Sequence, residues 1–180
     1  MQNIPGYQAG TYAIDPVHSS IEFSVRHMMV AKVKGQFVDF DGTIVLAENP
    51  ADSSVEATID PKSVDTRNND RDNHLRSGDF FSTDEFPQWT FKSTGARVDG
   101  DDYYIVGDMQ IKGVTKSLEL ELEFGGIAPD AAGAIRAGAT ATTTIKRSDF
   151  GITFNVNLET GGVMLGDDIK VTIDISAVKQ

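Results

Sequence analysis

The sequence contains no cysteine. That excludes a disulfide framework, a thiolate metal site and a cysteine nucleophile. Positive charge is scarce: 16 Lys and Arg stand against 27 Asp and Glu, a formal net charge of −11. A nucleic-acid binder gains affinity by neutralising phosphates, so this balance argues against one. It equally disfavours docking on anionic lipid through a basic patch. No window approaches the ~18 consecutive apolar residues of a membrane-spanning helix. The opening run Met1-Gln2-Asn3-Ile4-Pro5-Gly6-Tyr7 lacks the basic and apolar regions of a signal peptide. A cytoplasmic chain is expected, or a periplasmic or secreted one if a leader has been removed. The nucleophile elbow, the P-loop and the dinucleotide-binding glycine pattern are all missing.

What is present has period two. Leu118, Leu120, Leu122 and Phe124 alternate with Glu119, Glu121 and Glu123. Ile169, Val171, Ile173, Ile175 and Ala177 alternate with polar residues, as do Ile21, Phe23 and Val25, and Trp89 and Phe91. Each pattern is a strand with one dry and one wet face. Further β-rich runs cover 33–46, 54–59, 103–111 and 134–146. Asp99-Gly100-Asp101 reads as a hairpin loop, Lys112-Gly113-Val114 as a break between strands, and Gly125-Gly126 with 128–133 as a loop of small residues. About eight strands result, with no shift in composition to mark a boundary. A single domain spanning 1–180, built as a closed barrel or a sandwich, is expected. The segment 66–81 breaks the pattern: Asn68, Asn69 or Asp70 can cap a short helix ending near Ser77-Gly78. Residues 27–30 read as a second helical turn.

Asp39-Phe40-Asp41-Gly42-Thr43 matches the aspartate motif of haloacid-dehalogenase-type phosphatases, and Gly166-Asp167-Asp168 offers an acidic pair for magnesium. That chemistry needs Asp39 at the C-terminal end of a buried parallel strand. The preceding Lys32-Val33-Lys34-Gly35-Gln36 alternates instead, and the crossover helices are missing. A bend or bulge at Asp41-Gly42 is the simpler reading. His18, His27 and His74 have no local metal-site spacing, so separate hydrogen-bonded or surface histidines are expected, with no metal and no cofactor. Asp65, Asp70, Asp72 and Asp79 interleave with Arg67, Arg71 and Arg76, a charge-balanced segment that reads as surface salt bridges and helix-end bonds, or as a polar rim at a barrel mouth. Large side chains at alternating positions (Phe23, Phe37, Trp89, Phe91, Met109, Leu120) fill a barrel or line a cavity, and composition does not separate the two.

One ordered set of motifs runs through nearly the whole chain. It begins with His18-Ser19-x-Ile21-x-Phe23-x-Val25-x-His27 and Val33-Lys34-Gly35-x-Phe37. Thr66, Asp72-x-His74-Leu75-x-Ser77-x-Asp79-Phe80-Phe81 and Phe86-Pro87-x-Trp89-x-Phe91-x-Ser93 follow. Gly107-Asp108-Met109-x-Ile111-Lys112-Gly113-Val114-Thr115, Lys146-Arg147-Ser148-Asp149-Phe150-Gly151 and Gly166-Asp167-Asp168-Ile169 complete it. The set resembles the YceI-like family of polyisoprenoid-binding proteins. The resemblance implies an all-β fold: an extended eight-stranded antiparallel lipocalin-like β-barrel with one short helix. It implies binding, storage or transport of a polyisoprenoid, an isoprenoid quinone or a fatty amide in a long pore, without catalysis. Under it, Asp39–Thr43 lies along a strand, and Phe80 and Phe81 plug inward from the helix-bearing insert.

The expected ligand-binding residues are the inward alternates Phe23, Val25, Phe37, Trp89, Phe91, Met109, Ile111, Leu120 and Leu122. Met28, Phe80, Phe81, Phe150 and Phe154 are candidates for a plug or mouth, and His74, Arg147 and Asp149 for a head group. The expected partner is a long-chain isoprenoid or lipid, with no nucleic acid and no membrane insertion; a homodimer stays open. Two other readings compete: a magnesium-dependent phosphatase using Asp39 and Asp41, and a solid-cored acidic interaction domain.

Overall fold

Strands whose residues alternate between dry and wet faces must pair until no apolar face is left uncovered, and here they do so almost entirely as a ring. The computed structural model describes residues 6–100 and 102–180, the Val98 side chain excepted. In chain order the elements are β1 Gly10–Ile14, β2 Ser20–His27, β3 Ala31–Phe37, β4 Phe40–Leu46, β5 Ser54–Ile59 and β6 Val64–Asp65. Helix α1, Asn69–Arg76, follows. Then come β7 Trp89–Asp99, β8 Asp102–Ile111, β9 Val114–Pro129, β10 Ile135–Lys146 and β11 Leu165–Lys179. All pairings between these strands are antiparallel. The ring runs β1-β4-β5-β7-β8-β9-β10-β11 and closes by pairing of β1 with β11. These eight staves form the closed barrel.

Eleven strands arise from about eight expected because two long ones break and the two-residue β6 is added. β1 and β2 both pair with β11 and run in the same direction, separated by the turn around Asp15-Pro16. β3 and β4 are separated at Val38-Asp39. Past these breaks β2, β3 and β6 continue the sheet from β11 and end at an edge on β6. The insert between β6 and β7 sits beside that edge. Asn68 caps α1 by accepting from the Arg71 amide at 2.9 Å, and Asp72, buried, accepts from the Thr66 amide at 2.9 Å and its hydroxyl at 2.6 Å. Arg76 fastens the helix to the edge by donating to the carbonyls of Lys62 and Val64.

Three local expectations are corrected. Residues 27–30 are not helical: the Val30 amide donates to the His27 carbonyl at 3.3 Å across a tight turn in which Met28 and Met29 hold φ of 54° and 63°. The hairpin register, His27 against Ala31, leaves no length for a helix. Gly125 and Gly126 do not end a strand; β9 runs through them, with the register shift against β10 absorbed at Gly138/Ala139. Asp41 and Gly42 lie inside β4 and the bend comes earlier, at Val38-Asp39; Gly42 lets β4 approach β5, since a Cβ there would stand 2.7 Å from the Glu56 carbonyl. The hairpin expected at Asp99-Gly100-Asp101 joins β7 to β8, with Asp101 outside the described residues, as are Met1 to Pro5.

Candidate functional site

Inward residues of a filled barrel would be uniformly buried. Here Ile21, Phe37, Trp89, Phe91, Met109 and Leu120 are buried, but their inward neighbours Phe23, Ile105, Leu118, Leu122, Ile173 and Ile175 are only partly so. They face a cavity of about 370 Å³ inside the barrel, within the range of small-molecule sites. Its walls are apolar side chains from strands all around the ring. Ala57, Ala139 and Ala141 contribute small surfaces that leave room for it.

The end at which β1 closes the ring is sealed. Tyr12 is fully buried there with Ala137 and Ala177, its hydroxyl donating to the Gln8 carbonyl at 2.9 Å. Burial pushes the Tyr12 phenol above its ordinary pKa. Two aromatic groups shape the other half. Phe37 packs on Phe23 at 5.5 Å and edge-on to Trp89 at 5.1 Å, and Phe81 meets Trp89 edge-on at 4.8 Å. The Trp89 indole N–H is buried without an oxygen or nitrogen acceptor among the described residues. Nearer α1, the His74 ring stands edge-on to Phe80 at 5.0 Å and to Phe154 at 5.1 Å. Glycines admit two of the rings: a Cβ on Gly35 would lie 2.5 Å from Phe23, and one on Gly107 2.4 Å from Phe91.

Polar groups gather where α1, the 3-10 turn Arg147–Phe150 and the segment 151–164 meet. Arg71, His74 and Arg147 all reach the cavity lining there. Arg71 is held by Thr66, donating from Nε to the hydroxyl and from Nη2 to the carbonyl, both at 2.8 Å. His74 Nε2 lies 2.7 Å from Asp79 Oδ2. Arg147 is buried, with Nε donating to the Gly166 carbonyl and Nη1 to those of Ile152 and Phe154. Burial holds its guanidinium below its ordinary pKa, while the nearby Asp167 acts in the opposite direction.

The sequence matches the YceI-like domain over residues 12–177, more than nine-tenths of the chain. The chain belongs to the YceI-like family. Among curated proteins, this YceI-like chain is 44% identical over 161 residues to UPF0312 protein SA2479 of Staphylococcus aureus strain N315, covering 88% of this chain and 92% of that protein. Among solved structures it is similar to a YCEI protein of Campylobacter jejuni, with 32% identity, a TM-score of 0.71, and 86% of this chain and 90% of that one covered. Burkholderia cenocepacia BcnA shares the fold at 21% identity, with a TM-score of 0.74 over 91% and 98% of the two chains. So does a structure described as a polyisoprenoid binding domain from Saccharophagus degradans, at 16% identity and a TM-score of 0.71 over 96% and 100%.

Within this YceI-like barrel the structure gathers most of the residues singled out from the sequence. Phe23, Val25, Phe37, Trp89, Phe91, Met109, Ile111, Leu120 and Leu122 line the cavity, as do Phe80, Phe81, Phe150 and Phe154. Met28 does not: its left-handed conformation at the β2–β3 turn leaves it 44% exposed. His74 and Arg147 are in the lining, whereas Asp149 is exposed outside it. Arg71 belongs with them: it lies in the charge-balanced segment whose alternative reading is a polar rim at a barrel mouth, and it stands one helical turn from His74. His27 also lines the cavity, and His18 lies in a turn, with Nδ1 2.8 Å from Asp15 Oδ2. Asp39 is exposed in the break between β3 and β4, one residue short of the strand expected to hold it, and Asp41 is exposed on the antiparallel β4, where it accepts from the Thr58 hydroxyl. Asp167 and Asp168 are engaged by Ser148 and Lys146. None of this offers the parallel-strand terminus that the phosphatase reading needs. No helix among the described residues is long and apolar enough to cross a membrane.

Proposed function

We propose that the chain carries one long apolar ligand, such as a polyisoprenoid, an isoprenoid quinone or a fatty amide, in the barrel lumen for storage or transport. The observation that carries this reading is the cavity of about 370 Å³ walled by apolar side chains. Removing ligand methylenes from water contributes on the order of 0.8 kcal/mol per CH₂, so an acyl or prenyl chain binds there without many polar contacts. The tail lies against Phe91, Met109, Leu120 and Leu122, and Met109 adapts to its bends. Arg71, His74 and Arg147 hold the polar end, which favours a head group that accepts hydrogen bonds. The Saccharophagus degradans relative described as polyisoprenoid binding supports the ligand class.

Organic extraction of the purified protein followed by mass spectrometry tests the proposal. A stoichiometric long-chain lipid is expected, or, from protein purified empty, stoichiometric uptake of a fluorescent fatty-chain probe. Empty protein that takes up neither a fatty-chain nor a prenyl probe overturns it and favours the interaction-domain reading.

A further inference from the structure

Four of the seven large apolar side chains left exposed among the described residues lie together. Met28, Met29 and Val30 form the β2–β3 turn and are 44%, 57% and 86% exposed; Val156, at 45%, is in the adjoining loop. The backbone joins them in one rung, because the Met28 amide donates to the Met164 carbonyl and the Met164 amide to the Val156 carbonyl, both at 2.8 Å. The turn also holds Met28 and Met29 in the left-handed region, where Asn and Gly sit at far lower cost. A strained turn that presents methionines to water has no rationale in folding stability, and strain of this kind collects at functional sites.

Behind the apolar tip the outer face of the hairpin is basic. Arg26 on β2 stands directly opposite Lys32 on β3, and in the next row Lys170, Ser24 and Lys34 lie side by side across β11, β2 and β3. Like charges placed opposite one another destabilise a strand pair. No ion pair among the described residues involves Arg26, Lys32, Lys34 or Lys170, although carboxylates outnumber cations in the chain. The same hairpin borders the cavity: Val25, His27 and Val33 line it from inside, and so does Met164.

We propose that this hairpin docks the protein on an anionic lipid bilayer, with Met28, Met29, Val30 and Val156 entering the acyl boundary and Arg26, Lys32 and Lys34 meeting the head groups. The pairing of an apolar tip with a basic collar is the arrangement by which interfacial segments bind anionic membranes. A convex tip of four side chains is far smaller than the ~800 Å² per partner of a stable protein interface, and this favours a bilayer over a protein as occupant. Docking sets the cavity wall at the depth of the lipid chains, so a ligand passes between bilayer and lumen without crossing water. That consequence rests on the carrier reading; the docking itself does not.

Co-sedimentation of the full chain with phosphatidylcholine vesicles, with and without one quarter phosphatidylglycerol, tests the proposal. Binding is expected on the anionic vesicles, weaker on the neutral ones and weaker in high salt. The double variant Met28→Asn/Met29→Gly suits the left-handed turn better, so it folds at least as stably, and it is expected to bind at least about tenfold more weakly. Lys32→Glu gives Arg26 a partner across the strands and is expected to weaken binding about fivefold for each unit of charge removed. No binding to anionic vesicles, or unchanged binding by the double variant, overturns the proposal. A dimer in sedimentation velocity that the double variant abolishes, without vesicle binding, assigns the tip to a second copy and also overturns it. Uptake of a fatty-chain probe in the absence of vesicles reports the carrier reading separately, and the double variant is expected to retain it.

Discussion

Arg147 donates from Nη1 to the carbonyl oxygen of Phe154 at 2.8 Å, tying the turn after β10 to the segment that lies over the cavity. The same side chain also serves the carbonyls of Ile152 and Gly166, so three main-chain acceptors depend on one guanidinium. Arg147→Leu leaves those acceptors without their donor and is expected to cost about 3 kcal/mol. Arg147→Lys recovers only part, because an ammonium cannot reproduce the planar fork. Urea unfolding measures the loss, and faster amide exchange in residues 152–165 locates it.

The Phe91 ring lies over Gly107 in the wall of the cavity. Gly107→Ala would put a Cβ 2.4 Å from that ring and 2.7 Å from the Lys92 carbonyl. The expected loss is about 1–3 kcal/mol. The double variant Gly107→Ala/Phe91→Leu should lose less than the sum of its parts, since the smaller side chain yields to the new methyl. A double-mutant cycle by thermal unfolding decides; strict additivity would show that Phe91 does not bear the clash.

Asp15 and Asp130 share one cation. Arg136 donates from Nη1 to Asp15 and from Nε to Asp130, both at 2.8 Å, and these bonds are the leading reason that both carboxyls sit below the ordinary carboxylate range. His18 adds to the effect on Asp15, and the Ala134 amide to that on Asp130. Between these depressed values and the ordinary aspartate value near ~4, the unfolded chain binds more protons than the native one. Stability therefore rises with pH through that window and is lost as pH falls below it. Arg136→Met should flatten the slope of unfolding free energy against pH below about pH 4. An unchanged slope would show that other carboxylates dominate acid unfolding.

Ligand and lumen are linked by mass action. A fatty-chain probe at a hundred times its Kd should raise the unfolding free energy by about 2.7 kcal/mol, and extraction of the ligand should remove that gain. Ala139→Phe places a ring in the space that the small side chain leaves at the cavity wall. It is expected to abolish probe uptake while the stability of the empty protein is kept or raised, read by fluorescence titration beside a thermal melt.

The strands were legible because each is wet on one face and dry on the other; the alternation of Leu118 to Phe124 with glutamates is a direct record of that geometry. The N-terminus of α1 was legible from Asn68, whose side chain caps it as its chemistry allows. The hollow lumen was not legible, because Phe23 or Leu122 would occupy the same sequence positions in a filled barrel. What empties the lumen is the sum of small differences around the ring, such as alanine at 57, 139 and 141. The helical turn expected at residues 27–30 does not form because the register of Arg26 against Lys32 dictates a tight turn. The same register explains why the −11 total hid a basic face: net charge is a sum, and pairing across strands decides which charges meet.

The barrel is closed by two different means. At the Tyr12 end the pairing of β1 with β11 completes a hydrogen-bonded hoop. At the other end the ladder stops at β6, and α1 with its flanking segments fills the gap through Arg76, Phe80 and Phe81. A main-chain hoop yields all at once or hardly at all, whereas a side-chain seam gives by one rotamer at a time. On the proposed carrier reading, this sets a hydrogen-bonded base against a rim made of side chains, and the rim is the part that would adjust to guests of different girth.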